Sequence, residues 1–145
     1  MNNNFGKNKH SCYYLKYHLV LVIKYRNPVI NKDIKEQLIN IAYDIFENSW
    51  GLKIDNINTD IDHMHILFSS DPQTRLSDLI NNYKTTSSRL IRKNNKEFLS
   101  KYFWKPYFWS DSYFIGIVSD VTESIVNNYI NNQDKKIKEY SYILL

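Results

Sequence analysis

The chain has 145 residues, the size of one domain with a single well-filled core. Hydrophobic residues make up 43% and Cys12 is the lone cysteine, which excludes a disordered chain, an internal disulfide and a cysteine-rich zinc site, and fits a reducing cytoplasm. Lys and Arg number 19 against 15 Asp and Glu, a net +4 that leans toward an anionic partner, while the longest apolar run, Leu19 to Ile23, is too short for a signal-peptide core or for a membrane span of roughly 20 residues.

The opening MNNNFGKNKHS is polar and reads as a flexible tail over residues 1–11, with His10 solvated. YYLKYHLVLVIKYR is dense in β-branched and aromatic residues and stops before Pro28, so it is a largely buried first strand with His18 as a structural member. Between Asp33 and Trp50, Ile34, Leu38, Ile41, Ala42, Ile45 and Phe46 recur at helical spacing, and Gly51 stands where a glycine closes a helix. LKIDNINTDID alternates at Leu52 and Ile54, shifts phase to Ile57 and Ile61, and leads into HMHILFSS, which ends at the turn residues Asp71 and Pro72. Two adjacent strands are expected there. Leu76, Leu79, Ile80, Tyr83, Ser87, Leu90 and Ile91 mark a second helix whose more polar side carries Lys84, Ser88, Arg89 and Arg92. The aromatic-rich stretch beyond it is broken by Pro106 and is most strand-like from Tyr113 to Val118. Asp120 with Glu123 three residues on gives a capping-box-like start to a last helix, with Val121, Ile125, Val126, Tyr129 and Ile130 on its apolar side. The order βαββαβ and then α predicts one α+β domain over residues 12–145, a ferredoxin-like antiparallel sheet with a C-terminal helix carrying Tyr129.

Side chains alternate along a strand, so His63 and His65 point the same way, Met64 turns to the other face, and the pair can share one ion. Imidazole suits Mn, Fe, Ni or Zn and tolerates Mg poorly, and a catalytic site needs further ligands. Without them the triplet is more simply two half-exposed strand histidines. Alternation places Asp62 with Met64, so it would need a bulge to reach the histidine face. Tyr129 and Gln133 are four apart and lie on one helix face. A tyrosine attacks covalently when a metal or base favours its phenolate, and a Gln carbonyl can complete a ligand set; on spacing alone Tyr129 is more simply a core residue. If the last helix crosses the sheet face of the histidines, two imidazoles, an amide oxygen and a phenol meet, a combination suited to phosphoryl transfer. Lys84, Arg89 and Arg92, with Lys93 and Lys96 beyond, could follow a phosphate backbone, and Tyr83, Tyr102, Phe103, Trp104, Tyr107 and Trp109 offer faces for unpaired bases. A solvated helix face and core aromatics are the plainer readings.

These residues resemble a known family, the HUH-type single-tyrosine (TnpA) transposases of small bacterial insertion sequences. YHLVLVIKYR is similar to the family's first strand, DHMHILFS to its HUH strand, YKTTSSRLIR to its basic helix, and FWSDSYFIGIVSDVTESIVNNYINNQ to its last strand and tyrosine helix. The resemblance implies a DNA transposase that dimerises, binds hairpins near the element ends in single-stranded DNA, and cuts with Mg or Mn. It assigns His63, His65 and Gln133 to the metal and Tyr129 to a 5′-phosphotyrosine intermediate; Lys84, Ser88, Arg89 and Arg92 on the polar side of the second helix are the residues expected on the DNA. In the family the tyrosine helix can complete the partner subunit's site. This chain departs from the pattern at Ser112 and Ser119, where Gly is frequent before the tyrosine helix, and at Thr85 on the basic helix. A related HUH nicking endonuclease and a non-catalytic nucleic-acid-binding domain are the alternatives.

Overall fold

A computed structural model describes residues 6–7, 12–118 and 123–133. Within the expected tail, Gly6–Lys7 (β1) pair with Cys12–Tyr13 (β2), a short antiparallel ladder instead of an unpaired chain. His10, Ser119, the capping residue Asp120 and Val121 of the apolar side lie outside the described residues.

The main sheet begins with Lys16–Val22 (β3), in which Leu19, Leu21 and Val20, Val22 alternate between faces and all four are fully buried. A strand with apolar residues on both faces must be covered twice, so β3 belongs inside a sheet. After a tight turn at Lys24–Arg26 comes helix α1 (Lys32–Ala42), opened by Asn31, whose side-chain oxygen accepts the Ile34 amide at 2.9 Å. The helical stripe continues past α1 as a π-helical stretch, Tyr43–Ser49, and stops at Gly51, whose φ of 69° suits a residue without a Cβ.

Lys53–Thr59 (β4) and His63–Ser69 (β5) form the adjacent pair. The register jumps between Ile54 and Asn56, so Asp55 is an extra residue. This bulge is the physical form of the phase shift in the sequence: it lets Ile54 and Ile57 face the same side. Asp71 Oδ1 then accepts from the amides of Gln73 and Thr74 and from the Thr74 hydroxyl, fixing the turn into helix α2 (Leu76–Asn94). A one-turn helix, Lys96–Leu99 (α3), strand Phe114–Ile117 (β6) and helix Glu123–Asn131 (α4) complete the chain.

The sheet order is β4-β5-β3-β6, with every neighbouring pair antiparallel. This interleaving is that of the ferredoxin-like fold, since each βαβ half places its helix on one side and contributes one inner and one outer strand. The main core joins Leu19, Leu21, Met64, Ile66 and Phe68 of the sheet to α1 and α2. A second, smaller core on the opposite face joins Val20 and Val22 to Val126 and Ile130 of α4. The aromatic-rich stretch divides likewise: Tyr83, Phe103 and Trp109 are buried in the main core and cannot stack on bases, whereas Trp104 is 84% exposed.

Candidate active site

In the β3–β5 ladder Val20 stands opposite His65, Val22 opposite His63 and His18 opposite Leu67. Opposed residues of an antiparallel pair share a face, so His18, His63 and His65 all look away from α1 and α2. The rings of His63 and His65 are 4.9 Å apart between centroids and nearly perpendicular, at 76°.

Each of these two rings has one nitrogen engaged. His63 Nδ1 lies 2.7 Å from Asp62 Oδ1, whose other oxygen accepts from Arg26 Nε at 3.3 Å. A carboxylate only accepts, so Nδ1 of His63 carries a hydrogen, and in the neutral ring Nε2 is the atom with the lone pair. His65 Nδ1 lies 2.9 Å from His18 Nε2. Burial, reinforced by the adjacent His63 and His18 and opposed by Asp60, lowers His65 to about 4, and burial also lowers His18. His65 and His18 are therefore uncharged at neutral pH, and neutral imidazole is the form that binds a metal.

Arg26 reaches Asp62 from a left-handed turn, with φ of 59° at Tyr25 and 54° at Arg26. Such angles cost a residue with a Cβ about 1–2 kcal/mol. They are held by the Arg26 amide on the Ile23 carbonyl and by the Lys24 amide on the Phe108 carbonyl, both at 2.8 Å.

Two residues here add to the sequence reading. Asp62 does reach the histidine face without a bulge: β5 starts at His63, so strand alternation does not govern the residue before it. His18, a structural strand residue in the sequence reading, lies within hydrogen-bond distance of His65, its Nε2 at 2.9 Å from Nδ1. Its even-numbered spacing with Val20 and Val22 was visible, but that His65 lies next to it depends on a register between strands 47 residues apart.

Helix α4 covers this same face. Val126 and Ile130 pack on Val20 and Val22, and the Tyr129 ring lies 5.5 Å from that of Phe114, the residue opposite Val20 on β6. Tyr129 and Gln133 meet on Ser112 in the segment before β6: Ser112 Oγ is 3.0 Å from the Tyr129 hydroxyl and donates to Gln133 Oε1 at 2.7 Å. His65, Val20 and Phe114 form one row across three strands, so two inter-strand steps, roughly 10 Å, separate His65 from the ring against which Tyr129 packs. The structure thus brings together His63 with His65 and Tyr129 with Gln133, and seats both pairs on one face around an apolar patch. Among the described residues, His, Cys, Asp and Glu alone form no group of three able to hold a metal ion.

The four residues expected on DNA divide. Lys84, Ser88 and Arg92, spaced by four along α2, line one open cleft against residues 106–111. The Lys84 ammonium is occupied: it donates to the carbonyls of Ser110 at 2.8 Å, Asp111 at 3.2 Å and Ser112 at 3.5 Å, so it holds the segment that carries Ser112. Arg92 Nε donates to Ser88 Oγ at 3.3 Å. A neighbouring cleft of about 480 Å³ is lined by Arg89, Arg92, Lys93, Lys96 and Lys105 above Phe103 and Tyr107, with no carboxylate among its described lining residues. No described helix is long and apolar enough to cross a membrane.

Comparison with known proteins matches this arrangement to one group. The family model described as IS200-like transposase matches residues 11–133. The ISDra2 transposase TnpA of Deinococcus radiodurans is 32% identical over 124 residues, covering 86% of this chain and 87% of that protein. Among solved structures, a candidate transposase from Deinococcus radiodurans R1 superposes with a TM-score of 0.81 at 27% identity, covering 90% of this chain and 99% of its own. A REP-associated tyrosine transposase solved with a REP hairpin shares the fold, with a TM-score of 0.53 at 8% identity over 87% of this chain and 70% of its own. The chain belongs to the IS200-like transposase family.

Proposed function

We propose that this protein is a metal-dependent transposase that cuts and rejoins single-stranded DNA at insertion-sequence ends through a 5′-phosphotyrosine on Tyr129, with His63, His65 and Gln133 holding Mg or Mn. The observation that carries the reading is the seating of α4: the helix bearing Tyr129 and Gln133 packs, through Val126 and Ile130, on the face that presents the two histidines. Family membership supports DNA as substrate, and the hairpin in the more distant neighbour supports a strand with hairpin ends.

The donor set fits such an ion. Asp62 and His18 each engage an Nδ1, leaving the Nε2 atoms of His63 and His65 as the nitrogens to coordinate, and an amide oxygen adds the hard donor that Mn and Mg favour. When bound, the metal polarises the scissile phosphate and offsets the charge that grows on its oxygens. Tyr129 supplies the nucleophile: its oxygen bonds to phosphorus, the bond to the 3′ oxygen breaks, and the phenol proton is lost as the departing hydroxyl gains one. Attack by another 3′ hydroxyl reverses these steps and joins strands without ATP. Ser88, Arg89 and Arg92 follow the phosphate backbone along α2, and Lys84 contributes by holding the wall of that cleft. The active unit is a cytoplasmic homodimer, in which α4 serves its own or the partner subunit's site.

The test is a covalent adduct. With Mn and a single-stranded substrate containing a hairpin, the wild type should form a protein–DNA species that survives denaturation, and Tyr129→Phe should form none. An adduct formed equally well without the hairpin, and never rejoined, supports a nicking endonuclease; binding without any adduct supports a non-catalytic domain.

A further inference from the structure

We infer that His18 is a positioning residue of the metal site: by accepting the Nδ1 hydrogen of His65, it holds that ring in the tautomer and orientation that present Nε2 to the cation. The inference rests on the reading of His63 and His65 as ligands, and it deepens that reading.

The geometry leaves little freedom. His65 Nδ1 and His18 Nε2 are 2.9 Å apart, a hydrogen-bond distance, with the ring centroids 5.1 Å apart and tilted by 40°. Two bare lone pairs, or two N–H groups, would repel at that distance, so one hydrogen lies between the rings. If His65 donates it, His65 keeps a lone pair on Nε2 and can bind a metal there. If His18 donates it, a neutral His65 carries its own hydrogen on Nε2 and cannot. Coordination at Nε2 makes Nδ1–H a stronger donor, so the acceptor opposite selects the competent order and raises the basicity of the ligand.

His18 does for His65 what Asp62 does for His63, and both partners come from the face and strand end already described. Backbone pairing fixes His18 on both sides, opposite Leu67 on β5 and Gly116 on β6, so the acceptor is presented from the middle of the sheet and not from a loop. Removing partners of this kind weakens metal binding by about 10–100-fold.

Two variants separate the acceptor from the bulk of the ring. Gln carries its side-chain oxygen the same number of bonds from Cα as His carries Nε2, and Met has similar length without a strong acceptor. Mn binding to the apo protein, followed by calorimetry, should weaken about 10–100-fold in His18→Met and stay within about threefold of wild type in His18→Gln. Nitrogen NMR of the metal-free wild type should show His65 protonated at Nδ1, with the Nε2-protonated form gaining in His18→Met. His65 protonated at Nε2 in the wild type, or Mn binding unchanged in His18→Met, overturns the inference. If His63→Ala and His65→Ala bind Mn as the wild type does, the ligand reading itself fails, and the tautomer measurement still decides the role of His18.

Discussion

Removing the hydroxyl of Ser112 should loosen the tyrosine helix while the sheet stays folded. Ser112 has one hydrogen to give, and Gln133 Oε1, which can only accept, takes it at 2.7 Å; Tyr129 must then be the donor across the 3.0 Å contact. Ser112→Ala deletes both bonds and leaves the backbone carbonyl of residue 112 to Lys84. A hydrogen bond contributes about 0.5–1.5 kcal/mol net, and Ser112 is exposed, so the low end applies and the two together are worth about 1 kcal/mol. That corresponds to roughly a fivefold rise in the fraction of molecules with α4 released. Hydrogen–deuterium exchange reads this fraction directly: amides of residues 125–133 should exchange roughly fivefold faster in Ser112→Ala, with β3 and β5 protected as in wild type. Unchanged exchange over 125–133 would refute the reasoning. So would faster exchange throughout the sheet, since Ser112 would then be holding the fold and not the helix.

Lys84→Ala should leave the salt dependence of DNA binding nearly intact, because that ammonium already serves three carbonyls, whereas Arg89→Ala and Arg92→Ala should each lower the slope of log K against log salt by about 0.7 on single strands; an equal loss in all three variants would return Lys84 to the DNA. In the metal-free protein His65 titrates near 4 when folded and at 6.5 when unfolded, so between those values the unfolded chain binds the extra proton and stability falls as pH is lowered through the window. Urea midpoints taken at about pH 7 and about pH 4.5 should differ less in His65→Asn than in wild type, and an identical fall would count against the assignment. Tyr83 is fully buried and its hydroxyl donates to the Leu38 carbonyl at 3.0 Å, so Tyr83→Phe should cost about 1 kcal/mol in urea unfolding and leave Mn affinity unchanged.

Local pattern carried most of the fold into view. The helical stripes of α1 and α2, the glycine stop at Gly51 and the phase shift that becomes the bulge at Asp55 all involve neighbours within a few residues, where period and turn chemistry act directly. Tyr43–Ser49 was expected as ordinary helix because a widened π turn keeps nearly the same apolar spacing. The histidine pair and the Tyr129–Gln133 pair were each legible as short spacings. Their common face entered only as a condition and through the family resemblance, because it depends on α4 crossing from β6 onto β3, a tertiary choice that no local period encodes. For the same reason the contact of His18 with His65 is invisible in the sequence, and strand alternation applied one residue too early turns Asp62 away. The buried Tyr83 and Trp109 follow the plainer reading of the aromatics, as core residues that packing claims.

The double burial of β3 makes it a party wall between two unequal rooms. Leu21 faces the large room, so truncating it strikes the whole domain, while Val20 and Val22, its immediate neighbours in sequence, face a small room closed among the described residues of α4 by Val126, Tyr129 and Ile130. Changes along one strand can therefore be heard on one side only. The grip on the helix that carries Tyr129 can be retuned at Val20, Val22, Val126 or Ile130 while the large core that supports the histidines keeps its own packing.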